Sequence, residues 1–267
     1  MVGKSPTDWK LPLRVFLQVK HKNLNLTTYR SISLLSNFSK FFEKVMYNRM
    51  NEFAEQYNTL YRCQFEFRKN HSTSHALIHL MKRISSAIDQ RETTVGVFLD
   101  LSKAFNTLDH QILFTKLEHY GIRDVALQWR KSYFSCRQQL VQINQTCSLM
   151  QTIKGGAPQG SILGPLFFIL YINDLPKASK LTELLLFAED TSIFFSQSNP
   201  NYLENVLNNE LLNIDVWLRC NKLSVNIKKT NYVTFSPSQR KLSHSFSLFF
   251  GGQPLIQSNV TNFLGCT

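Results

Sequence analysis

The chain has 267 residues, 43% of them hydrophobic, and a formal net charge of +12 with a pI near 9.5. That length and apolar content exclude a disordered chain and allow one large domain or two packed lobes. Only 18% of residues are charged, so the positive balance reflects a shortage of acids, and Lys and Arg are spread along the chain (Lys20-His21-Lys22, Arg68-Lys69, Lys228-Lys229). A basic surface of this kind suits a polyanion, nucleic acid first. The five cysteines (Cys63, Cys136, Cys147, Cys220, Cys266) show no Cys-x-x-Cys pair and no histidine at ligand spacing, so a zinc site or disulfide framework is not indicated and a reducing compartment is expected. The N-terminus lacks an apolar signal core, and the longest apolar run, Pro165 to Ile172, is too short for a bilayer. A soluble intracellular protein, nuclear or cytoplasmic, is expected.

Leu11 to Asn25 has no clear period. Phe38, Phe41, Phe42, Val45, Met46, Met50 and Phe53 recur at spacings of three and four and predict a helix with one apolar face. Ser72 or Thr73 caps a second predicted helix through Leu77, Leu80, Met81, Ile84 and Ile88. Thr94 to Leu101 reads as a buried strand that delivers one carboxylate, Asp100, at its end. Burying such a strand beside a lone acid is unusual unless the acid has a task.

A helix from Asn106 to Tyr120 is predicted, capped near Asn106 or Asp109 and stopped by Gly121, with another from Val125 to Phe134. Gln139 to Asn144 and Leu149 to Lys154 read as strands. Gly155 to Ser161 is a backbone-rich loop running into an apolar helix, Ile162 to Asp174. Leu184 to Phe195 reads as a tight hairpin with Glu189 and Asp190 at its tip. Two like charges on rigid supports fit either a divalent cation or a solvated acidic turn, and the stretch by itself does not decide. An amphipathic helix from Leu203 to Leu218 follows, then short strands at Leu223 to Ile227, Asn231 to Phe235, Phe246 to Phe250 and Val260 to Leu264, with a Gly251-Gly252 turn. Helices first and a mixed region afterwards make the fold class α+β.

In order along the chain, Tyr29 to Leu35, Gln64 to Arg68 with His71-Ser72-Thr73, Phe98 to Asn106, Gly156 to Ser161 with Leu163-Gly164-Pro165, Phe187 to Asp190, and Asn226 with Lys229-Thr230 and Phe263-Leu264-Gly265 resemble the motifs of the reverse transcriptase domain of non-LTR (LINE-like and jockey-like) retrotransposons. The resemblance implies a right-hand polymerase fold, with helical fingers (1–92) and a palm (93–267) built on a small antiparallel sheet backed by helices. It also implies an RNA-directed DNA polymerase that uses an RNA template, a DNA primer, dNTPs and two Mg²⁺ ions, with Mn²⁺ as a substitute. By the same resemblance Asp100, Glu189 and Asp190 are the metal-binding catalytic acids and Phe105 is the gate under the sugar. Arg68 and Lys69 grip the triphosphate, Gln159 and Gly160 contact template and nascent pair, and Lys229 neutralises or protonates pyrophosphate.

Four positions depart from the family pattern. Ser31 replaces Pro, Glu66 replaces a Gly and would be strained if the backbone there needs positive φ, Asn106 replaces Asp, and Glu189 replaces Asp with one extra methylene. A displacement of about 1 Å at a reacting group costs on the order of 10²-fold in rate, so activity is expected to be severely weakened or lost. The chain ends at Thr267, where the family continues into a thumb, so no thumb is expected. A decayed or truncated copy, or a domesticated non-catalytic nucleic-acid-binding protein, is the alternative.

Overall fold

The structure, a computed structural model, describes residues 13–19, 29–102, 104–135, 137–143, 146–153, 155–237, 244–260 and 263. Lys20-His21-Lys22, Lys103, Cys136, Lys154, Leu264-Gly265 and Cys266 therefore lie outside the described residues. In chain order the elements begin with strands β1 (Leu13–Val19) and β2 (Tyr29–Leu34), helices α1 (Asn37–Gln56) and α2 (Thr73–Asp89), and strand β3 (Thr93–Asp100). Helices α3 (His110–His119) and α4 (Asp124–Phe134) precede strands β4 (Gln138–Ile143), β5 (Thr146–Cys147) and β6 (Gln151–Thr152). Helix α5 (Leu163–Ile172), strands β7 (Glu183–Phe187) and β8 (Asp190–Gln197) and helix α6 (Pro200–Cys220) follow. Strands β9 (Asn231–Phe235), β10 (Phe249–Phe250), β11 (Gln253–Pro254) and β12 (Ile256–Gln257) close the chain. Two compact units form, one from Met1–Leu60 and Phe105–Tyr171, the other from Tyr61–Ala104 and Ile172–Thr267.

In the first unit β1 pairs antiparallel with β2 and parallel with β4, placing strand order β2-β1-β4-β5 in a stretch that showed no period in sequence. Helix α5 is apolar on all sides, and Leu166 to Ile172 are buried throughout, as such a helix requires. Phe134 packs on Phe167 at 5.1 Å between ring centroids. Helix α1 forms where the spacing predicts it, but turned so that only part of the predicted face is inward, Met50 fully and Phe42, Met46 and Phe53 in part. Phe38 and Phe41 are 75% and 64% exposed, while Ser39, Glu43, Met50 and Ala54 are buried. The reason is polar. Glu43 accepts hydrogen bonds from the Tyr133 hydroxyl (2.6 Å) and the Ile162 N–H (2.8 Å), and Arg137 lies 4.0 Å away.

In the second unit the sheet runs β12-β9-β3-β8-β7 with β3 at its centre. β3 pairs antiparallel with both β8 and β9, and β7 with β8. Alternation puts Phe98, Phe194 and Leu185 on one face, where they pack with Ala76 and Leu80 of α2. Val95, Val97, Leu99, Ile193, Leu184 and Leu186 on the other face are equally buried. Ser72 caps α2 as predicted, accepting from His75 N–H. Its inward residues are Ala76, Leu80 and Ala87, while Met81 is exposed.

Several boundaries differ from expectation. Asn106 lies in a short 3-10 turn (Ala104–Asn106), and Asp109 alone caps α3 through the N–H groups of Gln111 and Ile112. The predicted strand at Leu223 to Ile227 is reduced to a bridge between Leu101 and Val225, because the chain turns at once at Asn226 to Thr230. The Leu149 to Lys154 strand contracts to β6, and Phe246 to Phe250 to β10. No helix among the described residues is long and apolar enough to cross a membrane.

Candidate active site

The sheet of the second unit positions the acids. β3 buries Val95, Val97 and Leu99 and ends at Asp100, whose register partner across the β3–β8 pair is Asp190. Directly opposed residues bring their Cβ atoms to about 4.5–5.5 Å, so the two carboxylates leave one face of the sheet side by side. The hairpin closes on the Phe187–Asp190 pair, with Ala188 and Glu189 as its two turn residues. Ala188 is buried with φ of 48°, a left-handed conformation that a residue with a Cβ adopts only when its surroundings hold it. Gln64 supplies the hold. Its Oε1 accepts from the N–H of Ala188 (3.4 Å) and from that of Glu66 (3.2 Å), tying the hairpin tip to the 64–68 loop. That loop also runs along β7, with Leu186 N–H donating to Cys63 O and Phe65 N–H to Leu186 O, each at 2.9 Å.

A second support comes from the turn at 226–230. Asn226 N–H donates to Asp100 O (2.8 Å), and the Thr230 hydroxyl donates to Asn226 O (3.1 Å) while accepting from Asp100 N–H (3.4 Å). The turn thereby presents Lys229, whose Nζ lies 3.5 Å from Asp100 Oδ2. Although Asp190 is solvent-exposed as a residue, partial burial of its carboxyl and the charges of Glu189 and Asp100 push it up to about 6, against the opposing effect of Lys229. Glu66 is pushed up to about 7, by burial first and then by Glu189 and Asp190. The carboxyl groups of Glu66, Asp100, Glu189 and Asp190 thus act on one another, with Lys229 paired to Asp100; an oxygen-only donor set is what a hard divalent cation prefers, although no three of these residues bring their ligand atoms within 4.8 Å of one another.

Glu66 corrects one expectation. The residue with positive φ is its neighbour Phe67 (55°), so Glu66 brings charge, not backbone strain, to the motif. Arg68 is turned inward, its Nη1 donating to Tyr61 O (3.0 Å) and Gln64 O (3.4 Å), while Lys69 is exposed. Nothing in the sequence marks Gln64 as the brace of the hairpin; its 1% exposure and its bonds to the N–H groups of Glu66 and Ala188 do so in the structure.

Phe105, Gln159 and Gly160 belong to the first unit. Phe105 is half-buried with its ring 4.7 Å from that of Phe168, and its carbonyl accepts from Ala157 N–H. Gly156 has φ of 78° and an added Cβ would stand 2.7 Å from Asn106 O, so the loop can close only on glycine. Gln159 O accepts from Ser33 N–H (3.0 Å), and Gly160 takes φ of 96°. Together with Ser33, Asn106, Gln139 and Val141, this loop lines a cleft of about 300 Å³.

A family model described as reverse transcriptase (RNA-dependent DNA polymerase) matches residues 19–267. The chain is 30% identical over 239 residues to a probable RNA-directed DNA polymerase from transposon BS of Drosophila melanogaster, covering 84% of this chain and 26% of that protein. It is 27% identical over 271 residues to the probable RNA-directed DNA polymerase from transposon X-element of the same organism, covering 97% and 29%. The RNA-directed DNA polymerase from its mobile element jockey is 26% identical, covering 88% and 26%. The chain therefore spans little more than a quarter of the length of these relatives. Among solved structures it is similar to a telomerase from Candida albicans (TM-score 0.54, 13% identity, 94% of this chain and 45% of that one). A telomerase from Candida tropicalis is likewise similar (TM-score 0.59, 12% identity, 89% and 42%). At that identity the likeness concerns the fold alone, the right-hand polymerase fold expected from the motifs.

Proposed function

The chain belongs to the reverse transcriptase family, and from that premise we propose that it is the RNA-directed DNA polymerase domain of a non-LTR retrotransposon, with activity weakened at Glu189. Residues 1–92 serve as fingers and 93–267 as palm, a division by role that groups the chain differently from its two compact units. The observation that carries the reading is the pairing of Asp100 with Asp190 in register, with Glu189 at the adjoining turn and Lys229 at 3.5 Å from Asp100.

Asp100, Glu189 and Asp190 would hold two Mg²⁺ ions, which when bound would activate a primer 3′-hydroxyl and neutralise an incoming triphosphate. The protein's part is placement. β3 and β8 hold two carboxylates on one rigid face, and Gln64 fixes the turn that carries the third. Lys229 offers an ammonium beside Asp100 to the pyrophosphate oxygens that leave. Arg68, released from the Tyr61 and Gln64 carbonyls, and Lys69 grip the triphosphate, where a planar guanidinium suits paired phosphate oxygens. Phe105 packs under the sugar, and Gln159 with Gly160 contacts the template and nascent pair. RNA template, DNA primer and dNTPs are the partners this requires.

The test is extension of a primed RNA template with dNTPs and Mg²⁺. Weak extension by the unaltered chain, a rise of about 10²-fold in Glu189→Asp and none in Asp100→Asn are expected. Extension by the unaltered chain equal to that of Glu189→Asp would sink the weakened-activity part. No extension by Glu189→Asp with Mg²⁺ or Mn²⁺, alongside tight salt-dependent RNA binding, would favour a non-catalytic nucleic-acid-binding protein instead.

A further inference from the structure

Three residues far apart in sequence converge at the edge of the second unit's sheet. Cys63 sits in the loop strand bound to β7, His79 is on the second turn of α2, and Glu183 opens β7. His79 Nε2 faces both others, 3.8 Å from Cys63 Sγ and 2.8 Å from Glu183 Oε1, and the three donor atoms all lie within 4.8 Å of one another. We propose that Cys63, His79 and Glu183 bind a zinc-class divalent cation that ties α2 to the edge strand of the sheet.

The geometry is close to what such an ion asks for. Zinc bonds of about 2.3 Å to sulfur and 2.0–2.2 Å to nitrogen and oxygen at tetrahedral angles place sulfur about 3.6 Å from nitrogen, and nitrogen about 3.4 Å from oxygen. The observed sulfur–nitrogen distance of 3.8 Å is slightly long and the nitrogen–oxygen distance of 2.8 Å is short by about 0.6 Å, so side-chain movement of well under an ångström opens the His79–Glu183 pair to admit the ion. Rigid elements carry the donors. The Cys63 carbonyl is bonded to Leu186 N–H of β7, His79 is on a capped helix, and the ring of Phe65 backs His79 at 5.9 Å. Arg83 Nε holds Glu183 Oε2 at 3.2 Å and leaves Oε1 to the ion, the outer support that metal-binding carboxylates generally receive.

Softness separates this site from the palm acids. A thiol, an imidazole and one carboxylate select zinc-like ions, whereas the Asp100–Asp190 patch offers oxygen alone. Burial and the charge of Glu183 push the Cys63 thiol up, with Arg62 opposing them. Binding releases the thiol proton to solvent and leaves a thiolate, an imidazole and a carboxylate around the cation. Nothing in the sequence announces the set, because its members are 16 and 104 residues apart.

Cobalt titration of the metal-free full chain reads this directly, with Co²⁺ standing in for Zn²⁺. One equivalent should produce thiolate-to-cobalt charge-transfer absorption that Zn²⁺ then abolishes. Zn²⁺ in hundredfold excess over its dissociation constant should raise the unfolding midpoint by roughly 5–10 °C. Cys63→Ser should lose the band and at least ~100-fold in affinity, the upper end of what an outer-sphere change alone costs. Cys147→Ser with Cys220→Ser, both positions exposed, should keep the band. Should Cys63→Ser fail to fold, Glu183→Gln reports instead, retaining the thiolate band at reduced affinity. Absence of the band at stoichiometric cobalt, or its survival in Cys63→Ser, overturns the proposal. Cobalt on the palm carboxylates gives no thiolate band, so neither result depends on whether the chain polymerises.

Discussion

The Glu66 carboxyl lies half-buried beside Asp190 and is pushed up to about 7, by that burial first and then by the charges of Glu189 and Asp190. Asp190 is itself pushed up from 3.8 to about 6. In both cases the folded chain holds the proton more tightly than the unfolded one, so these groups stabilise the fold below about pH 4 and that contribution is lost as the pH climbs through 6 and 7. In the presence of chelator, the melting temperature of the unaltered chain should therefore fall from pH 4.5 to 7 relative to Glu66→Gln. Adding Mg²⁺ at pH 7 should narrow the gap, because a cation offsets the repulsion that the variant removes. A constant difference between the two chains across this range would refute the assignment of the shift to Glu66.

Lys229 tests whether the ion pair beside Asp100 concerns stability or chemistry. Its side chain is 70% exposed, so Lys229→Ala should change stability by less than about 1 kcal/mol. Lys229 opposes the rise of Asp190, and its loss should move that group higher still. In the Glu189→Asp background the pH at which Mg²⁺-dependent extension reaches half its maximum should therefore move upward in Lys229→Ala. Melting curves and a pH–rate profile on the same preparations separate the two effects. An unchanged profile would make Lys229 a surface residue.

The acid-bearing half of this arrangement was legible in the sequence because it is local. A strand ending in Asp100, a hairpin ending in Glu189-Asp190, and a serine cap before α2 each announce themselves within ten residues. What sequence could not supply is set by partners far along the chain. β1 exists because it pairs in parallel with β4, more than a hundred residues on. Helix α1 shows Phe38 and Phe41 to solvent because Tyr133 and Ile162 give Glu43 a buried place on its inward side. Positive φ in the 64–68 loop fell on Phe67 and not on Glu66, a shift of one residue that composition cannot resolve.

The turned helix α1 makes a stability prediction. Glu43 is fully buried and accepts from Tyr133 and Ile162, with Arg137 near its carboxylate and over the Tyr133 ring at 4.0 Å. Removing one member of a buried charged set leaves the others uncompensated, so Glu43→Ala should cost about 3–5 kcal/mol. Tyr133→Phe removes one donor and should cost about 1–3 kcal/mol. Phe38→Ser, on the exposed side of the same helix, should fall within about 0.5 kcal/mol of the parent. Urea denaturation of the three variants checks the order, and a larger loss for Phe38→Ser than for Glu43→Ala would overturn the inward face described for α1.

Gly156 and Gly252 share a φ of 78° and differ only in their surroundings, which makes them a matched pair. An alanine at either must adopt a left-handed backbone, costing about 1–2 kcal/mol. At Gly252 nothing lies within 4 Å of the added Cβ, so that cost stands alone. At Gly156 the Cβ would meet Asn106 O at 2.7 Å, and the backbone cannot withdraw freely. Gly156 N–H is bonded to Leu108 O (2.7 Å), its carbonyl to His110 Nε2 (2.8 Å), and Ala157 N–H to Phe105 O (2.9 Å). Crowding of this kind adds about 1–3 kcal/mol, for a total of roughly 2–4 kcal/mol in Gly156→Ala. Because the same bonds set the loop that carries Gln159 and the backbone at Phe105, Gly156→Ala should also reduce extension in the Glu189→Asp background, while Gly252→Ala leaves it unchanged. Thermal melts and primer extension on the two variants decide the matter. Equal effects of the two substitutions on both measurements would show that backbone conformation alone, and not the approach to Asn106, accounts for the glycine at 156.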